Sequence, residues 1–255
     1  MDNVHILNTI VAGWGLAMHT QLRWAAAAAL VVFSATSTAA VLDFEGFGLG
    51  QIIDDEYSAF PAPGTTVGAV NLSAGPDVAI IFDTSSPTGG DPDLGAPFSS
   101  LNSSLDQAFE PGNVLIIQER NNCNLTTGFC SVPDDEGSRP AGVFEFVFNS
   151  PIVLQSLDFF DIEFNENNNN PNSQVRLFDA SDTELLPGAF FVPNTGGDNM
   201  WNQLVFGDVA GVKRIVIEMD GSGAIDNLTF VPVPAAVWLF GSALMGLGWL
   251  RKRKV

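Results

Sequence analysis

The chain has 255 residues, of which 29 are acidic and only 10 are lysine or arginine, so its formal net charge at neutral pH is −19. Such a charge repels the phosphates of nucleic acids, which excludes nucleic-acid binding. The hydrophobic content of 46% suits a packed core, and the acidic residues are dispersed along the chain rather than grouped in blocks, so a disordered chain is excluded as well.

The N-terminal 40 residues have the layout of a secretory signal peptide. Arg23 precedes the apolar run Trp24–Phe33, and small residues follow up to a cleavage site with Ala39 or Ala40 at position −1. A start at Met18 gives a compact leader, so we expect translation to begin there. A transmembrane anchor fits less well, because the apolar run is only about half the ~20 residues that a membrane span needs.

Residues 41–230 are predicted to form one exported domain, whose size of about 190 residues suits a single core. Of the charged residues, 28 acidic ones but only 5 basic ones lie in this stretch, so its formal charge is −23. Short β-branched or aromatic runs alternate in it with turn clusters rich in Gly, Pro and Asn. The predicted strands are Val41–Phe44, Val78–Phe82, Val114–Gln118, Val143–Phe148, Ile152–Phe160, Gln174–Phe178, Ala189–Val192, Gln203–Phe206, Val212–Met219 and Ala224–Phe230. No amphipathic helical period precedes the tail, so we predict an all-β fold, an antiparallel jelly-roll-like β-sandwich.

The domain contains two cysteines, Cys123 and Cys130, on either side of a short segment with a glycine. In an oxidising compartment such a pair is expected to form a disulfide that staples one loop. A metal-binding pair is the competing interpretation. It is weaker, because the domain has no other cysteine and no histidine.

The histidine distribution restricts the chemistry of the domain. His5 and His19, the two histidines of the chain, both lie in the leader region. The exported part therefore lacks the residue needed for Ser-His-Asp catalysis, for a histidine general base and for His-ligated zinc. One enzymatic route remains, since a glycoside hydrolase needs only two suitably spaced carboxylates. No motif marks such a pair, and we predict a non-enzymatic protein.

Calcium suits so oxygen-rich a chain, because it prefers carboxylate, amide and carbonyl oxygens. Asp161 and Glu163 are predicted on one face of a strand, ahead of an Asn-rich loop. The pairs Asp91/Asp93 and Asp134/Asp135 are weaker candidates. All of these acids can equally be solvated turn residues.

The two ends of the domain, Val41–Phe47 and Ser222–Phe230, resemble the first and last strands of exported jelly-roll binding modules. Such modules often hold a structural calcium where these strands meet. The resemblance implies Glu45 and Asp226 as ligands, with Asp43 and then Asp54 and Asp55 less favoured. The competing interpretation is a set of solvent-facing acids that keep edge strands from pairing with other sheets.

Carbohydrate binding would need exposed aromatic rings on which sugars stack. Before the tail, the domain has a single tryptophan, Trp201, which follows a Gly-Gly loop and is a candidate ligand platform at a loop tip. The competing interpretation places Trp201 over the edge of the core. The supply of exposed aromatic residues is thus expected to be thin for a dedicated sugar-binding protein.

The last 25 residues form a distinct tail. Two prolines, Pro232 and Pro234, are expected to end the preceding strand, because proline lacks an N–H and fixes φ. An uncharged run follows from Ala235 to Leu250, and four cations close it: Arg251, Lys252, Arg253 and Lys254. A helix over 235–250 is about 24 Å long, and flanking valines and snorkelling cations extend it to a membrane span with a cytoplasmic basic stop. A buried core helix is the alternative, which the terminal cations disfavour.

The motif Val231-Pro232-Val233-Pro234, the following Ala235–Ser242 run, the small residues Gly246 and Gly248 and the basic end resemble a PEP-CTERM sorting signal of the VPLPAAVWLFGSGLLGL type. Val233 stands where the name-giving motif has Glu. The resemblance covers about a tenth of the chain. It implies export in a Gram-negative bacterium that makes extracellular polysaccharide, and recognition by exosortase, a membrane-embedded sorting enzyme.

These observations predict an exported protein that is held at the membrane by its tail and sorted to the cell surface or extracellular matrix, with a structural or interaction role. Two further functions stay open. One is a carbohydrate-binding jelly-roll module with structural calcium, and the other is a carboxylate-based glycoside hydrolase.

Overall fold

The computed structural model describes residues 38–59, 63–135, 139–167 and 173–233, and the side chains of residues 166 and 167 are not described. The predicted leader apart from residues 38–40, the predicted span 235–250 and the terminal cations lie outside these ranges, as does Pro234. Within the ranges, no helix is both long enough and apolar enough to cross a membrane.

The described residues form eleven strands, with one 3-10 turn at Pro92–Leu94 and one four-residue helix, Phe164–Asn167. The strands are β1 (Ala40–Leu42), β2 (Thr65–Asn71), β3 (Ala79–Asp83), β4 (Asn113–Ile117), β5 (Cys123–Asn124), β6 (Phe129–Cys130), β7 (Gly142–Phe160), β8 (Val175–Phe178), β9 (Glu184–Leu185), β10 (Trp201–Met219) and β11 (Ala224–Pro232). Every pairing between them is antiparallel. The prediction of an all-β antiparallel domain is therefore confirmed.

Nine strands form one continuous sheet in the order β3-β4-β11-β7-β10-β8-β9, with β1 added to β11 and β2 added to β7. The long strands β7 and β10 pair along both of their halves. The first half of β7 borders β2 and the second half borders β11, so the strand belongs to two parts of the sheet. Phe148 of the first half packs against Phe230 of β11, with ring centroids 5.1 Å apart. The sheet thus folds over itself, consistent with a β-sandwich.

The change of layer occurs where the register of β7 and β10 shifts, around residues 205–214 of β10. Bulges of this kind are how strands turn a corner between packed sheets. The stretches 148–153, 207–213 and 230–232 meet here, since Ile152 pairs with both Val212 and Pro232. We call these three stretches the corner end of the domain. The turn between β10 and β11, residues 220–223, lies at the opposite end.

Two apolar cores explain why the central strands are so hydrophobic. The larger core lies between the layers and includes Phe146, Leu154, Ile81 and Leu115. The smaller core lies on the other face of β3 and β4 and includes their alternate residues Ile80, Phe82, Val114 and Ile116, with Leu94 and Phe98 from the covering loop. Both faces of these strands are buried, so they read as continuous apolar runs rather than alternating ones.

Several predicted strands differ from the structure. Val143–Phe148 and Ile152–Phe160 belong to one strand, and so do Gln203–Phe206 and Val212–Met219. Ala189–Val192 is not a strand, because only Phe191 makes an isolated bridge there, to Gln174. The prediction that proline ends the last strand is correct, since β11 ends at Pro232.

Candidate metal centres

Two buried aspartates face each other across the pairing of β11 with β7. Asp226 is directly opposite Asp158 in the register. The side chains of directly opposed residues share one face of a sheet. Asp226 is 1% exposed and Asp158 is 4% exposed, and among the described residues Asp226 Oδ1 has no hydrogen-bond partner. An unpaired buried carboxylate oxygen is costly, so this position favours a bound cation.

The strand that pairs with the outer edge of β11 changes close to Asp226. β1 accompanies β11 only as far as the Leu42–Leu228 pair, and β4 takes over at the Leu115–Ile225 pair. Residues 43–45 continue from β1 into this gap. Phe44 there has a φ of 53°, a left-handed conformation that takes the chain out of the strand. This local irregularity brings the acids that flank Phe44 towards Asp226.

Asp43 and Glu45 are exposed, and their charges act on the buried Asp226. The Glu45 N–H donates to Asp43 Oδ1 at 3.3 Å, and the Asn113 N–H donates to Glu45 Oε1 at 2.8 Å. The Asn113 side-chain amide also donates to the carbonyl of Phe44 at 3.3 Å. These bonds fix residues 43–45 against the start of β4. We call Asp43, Glu45, Asp158 and Asp226 the strand-junction site.

The charges of the other three acids of the strand-junction site act on Asp226. The pKa of Asp226 is raised well above its ordinary value, first by burial and then by the charges of Asp158, Glu45 and Asp43, against a lowering by the Asn227 backbone. Burial raises the pKa of Asp158 to about 6, although hydrogen bonds from the Gln203 and Asn227 amides oppose the shift.

No described lysine or arginine forms an ion pair with Asp226 or Asp158. The basic side chains are engaged elsewhere: Arg120 with Asp134, Arg139 with Glu163, Arg176 with Glu184 and Glu218, Arg214 with Glu145 and Asp182, and Lys213 with the Phe148 carbonyl. Apart from the Gln203 and Asn227 amides that donate to Asp158, the strand-junction site consists of carboxylates with no described basic partner for the buried pair, and carboxylate oxygens are ligands that Ca²⁺ prefers.

In EDTA, the full chain is expected to be more stable near pH 5 than near pH 7.5. The folded pKa of Asp158, about 6, lies above the ordinary unfolded value of about 4. The stability tied to its protonation is therefore complete below the unfolded pKa and is lost as the pH rises through the folded pKa. Thermal melts in detergent check this, with Asp158→Asn as the variant whose melting temperature should depend less on pH. A wild-type midpoint that climbs between these two pH values contradicts the expectation.

Of the sequence-predicted ligands Glu45, Asp226 and Asp43, Asp226 is buried, and the charges of the other two act on it. Their carboxylate oxygens are not among the described groups of three that lie within 4.8 Å of one another, so a shared ion stays a prediction. Asp158, which completes the buried pair, was missed, because its position depends on the register of β11 with β7. Asp54 and Asp55 are exposed beside β2, where the Asp54 carbonyl accepts from Val67 N–H, and they cluster with Glu56. Their assignment as further ligands of the same ion stays a prediction.

A second acidic cluster lies at the end of the domain opposite the corner end. The carboxylate oxygens of Asp93, Asp161 and Asp198 lie within 4.8 Å of one another. Asp135, which is 4% exposed, adjoins them: its N–H donates to Asp91 Oδ2 at 3.2 Å, and its own Oδ2 accepts from Gly223 N–H at 3.0 Å. We call these five aspartates the acidic end.

Burial raises the pKa of Asp135 well above its ordinary value, and the charges of Asp91 and Asp161 add to the effect. The loop that carries Asp91 is held tightly, because a Cβ on Gly89 would lie 2.5 Å from the Pro133 carbonyl and 2.7 Å from Asp91 Oδ2. Glycine is therefore required at this close approach, where φ is also 78°.

The sequence offered the members of the acidic end as separate weak candidates, and folding joins them. Glu163 pairs with Arg139 at 3.1 Å and Asp134 pairs with Arg120, and neither belongs to the group of three whose oxygens lie within 4.8 Å of one another. Asp198 was missed. It comes from the loop before β10, whose neighbour Asn199 donates to the carbonyls of Pro92 and Gly95.

Trp201 is not an exposed platform. It is 6% exposed, it stacks on Phe160 with an interplanar angle of 17°, and its ring also contacts Phe109. The indole N–H donates to the Asp106 carbonyl at 2.9 Å. The interpretation of Trp201 as a sugar platform is therefore wrong, because both its ring and its N–H are used in closing the smaller core.

The disulfide prediction is confirmed. Cys123 and Cys130 are bonded and lie directly opposite each other in the hairpin of β5 and β6. Cys130, on β6, is buried in the smaller core. The bond thus ties an exposed turn to the core.

Removing this disulfide is expected to destabilise the chain by about 2 kcal/mol, the amount for so short a closed loop. Urea denaturation of the Cys123→Ser/Cys130→Ser double variant measures the loss. Reductant should lower the midpoint of the wild type towards that of the variant and leave the variant unchanged. Two free thiols in the native protein contradict the bond.

No protein-family model and no curated protein sequence matches the chain.

Proposed function

We propose that the chain is an exported protein that its tail tethers to the membrane until an exosortase-like enzyme sorts it to the cell surface or the extracellular polysaccharide matrix. The observation that carries this proposal is the disulfide between Cys123 and Cys130. Such bonds persist in oxidising compartments outside the cytoplasm. The leader layout, the motif Val231–Pro234 and the basic stop Arg251–Lys254 agree with it.

In this proposal the domain is a jelly-roll-like sandwich with a structural calcium. Support for the topology comes from the pairing of β1 with β11, and from β7 and β10, which belong to both layers. Support for calcium comes from the buried Asp226–Asp158 pair, whose charge no described cation neutralises. Bound there, the ion would supply that neutralisation and hold the first strand to the last.

The proposed role is non-enzymatic. A glycoside hydrolase needs two carboxyl groups that flank a sugar in an open cleft. An open cleft of about 650 Å³ lies beside the acidic end, but Asp91 is its one carboxylate, and Thr, Ser, Gly, Pro, Ala and Asn form the rest of its lining. The paired carboxylates of the strand-junction site are instead buried at their base.

Carbohydrate binding remains the second candidate, and one observation favours it. Phe129 is 46% exposed on the disulfide-bonded hairpin, where a rigid ring can stack on a sugar. Glycan-array binding by the full chain that is lost in Phe129→Ala supports this role. Leu125→Ala is the matched control, since Leu125 is exposed on the same hairpin. Glycan binding that Phe129→Ala and Leu125→Ala leave equally strong contradicts this role.

The experiment that tests the proposed function is intact-mass analysis of the protein recovered from the cell surface and the culture medium. We expect a product that starts at Ala40 or Val41, carries the disulfide and has either an intact or a removed tail. A full-length cytosolic product with reduced cysteines would falsify the proposal.

A further inference from the structure

The last strand leads into the tail with almost no linker. Val231 pairs with Val153 and Pro232 pairs with Ile152, so half of the predicted sorting motif still belongs to the sheet. The predicted membrane span begins at Ala235. Two residues therefore separate the sheet from the span, and even fully extended they cover only about 7 Å. The corner end is the part of the domain that this connection holds nearest the membrane.

The first strand begins at the same end. Ala40, at the start of β1, pairs with Phe230 near the end of β11. The segment before β2 is also here, since Asn149 N–H donates to the Gly64 carbonyl at 2.7 Å. The leader and the tail therefore join the domain at one end, which suits a domain that is threaded across a bilayer and stays beside it.

The three stretches of the corner end contain one acid, Asp208, and one base, Lys213. The acidic cluster Asp54, Asp55 and Glu56 lies beside them, since the Ser58 carbonyl accepts from the Asn149 side chain and Ser58 N–H donates to the Asp55 carbonyl. Asp208 accepts a hydrogen bond from the Gln155 amide at 2.9 Å. Most other exposed residues here are small and neutral, including Ser150 and Ala210.

The acidic end, by contrast, brings five aspartates together. The two ends are separated by the length of β11, whose nine residues span about 30 Å. This distance exceeds the Debye length of about 8 Å at physiological ionic strength. The electrostatic interaction between the acidic end and a charged surface that touches the corner end is therefore largely screened.

We propose that the domain stands on the bilayer, with the corner end against the lipid headgroups and the acidic end pointing away from the membrane. This inference rests on the proposed membrane tether. The short connection restricts the domain to orientations in which the end of β11 faces the membrane. The three stretches of the corner end bring one acid and one base to that contact, whereas a tilt that lowers the acidic end towards anionic lipid is opposed. Asp198, the exposed member of the acidic end, is thereby presented to the solution.

The orientation can be measured by energy transfer from the domain to the membrane. The full chain is reconstituted in phosphatidylcholine vesicles that contain phosphatidylglycerol and a headgroup-labelled acceptor. A fluorescent non-natural amino acid, which leaves the disulfide intact, replaces either Ser150 at the corner end or Asp198 at the acidic end; both residues are exposed. We expect several-fold greater transfer from position 150 than from position 198.

A linker variant is the matched control. About 20 Gly and Ser residues inserted between Val233 and Pro234 span about 25 Å and free the domain to rotate, so the difference between the two positions should shrink strongly. Equal transfer from both positions in the uninserted chain overturns the orientation while leaving the tether in place. A chain that fails to float with the vesicles overturns the tether itself, and the orientation with it.

Discussion

Chelating divalent cations is expected to lower the melting temperature of the full chain, measured in a mild detergent, by about 5–10 °C. An ion present at about 100 times its Kd stabilises the folded state by about 2.7 kcal/mol, and 1 kcal/mol shifts the midpoint of a domain of this size by about 2–4 °C. The effect is large because Asp226 and Asp158 are buried side by side without a basic partner among the described residues. Calorimetry with added Ca²⁺ and with EDTA measures the shift.

The Asp226→Asn variant identifies the site responsible. Asparagine keeps the size of the side chain but not its charge, so the midpoint of this variant should hardly respond to Ca²⁺. Without calcium the variant should melt no lower than the wild type, because no buried charge remains at position 226. Asp182→Asn is the control, since Asp182 is exposed at a φ of 59°, which asparagine tolerates. If Ca²⁺ raises the melting temperature of Asp226→Asn as much as that of the wild type but has no effect on Asp135→Asn, the ion is assigned to the acidic end instead.

Part of the strand-junction site could be predicted from sequence, because its residues Glu45 and Asp226 lie near the two ends of the predicted domain. Glu45 and Asp226 follow from the likeness of the first and last strands to other modules, and in the structure the charge of Glu45 acts on the buried Asp226. Asp158 could not be found in this way. It reaches Asp226 only through a register that shifts again within three residues, between Asp226 and Thr229. A bulge of one residue reverses the face of every side chain beyond it, and no pattern in the sequence marks its position.

The fold was predictable where apolar residues form continuous runs. The predicted ends of β3, β4 and β8 lie within one residue of the observed ones, because both faces of β3 and β4 are buried. β2 was missed because its exposed positions hold Thr66, Gly68 and Val70, which weakens the alternation. The sequence Asn149-Ser150-Pro151 reads as a turn between two strands, yet β7 continues through it, because the turn is the corner between two layers.

Truncating Phe148 to alanine is expected to cost about 3–5 kcal/mol, the range for a large aromatic side chain in a packed core. Phe148 is fully buried where β7 leaves the first layer, and its ring meets Phe230 edge to face at 5.1 Å, so one side chain joins the two layers beside the corner end. Urea denaturation measures the loss, and an unchanged m-value shows that it reflects stability rather than a different unfolded state. Phe148→Leu retains most of the volume and should cost clearly less than the alanine variant, whereas Phe129→Ala, a change at an exposed ring, should cost least. A loss below about 1 kcal/mol in Phe148→Ala is smaller than burial between two layers allows, and would mean that the halves of β7 do not face a common core.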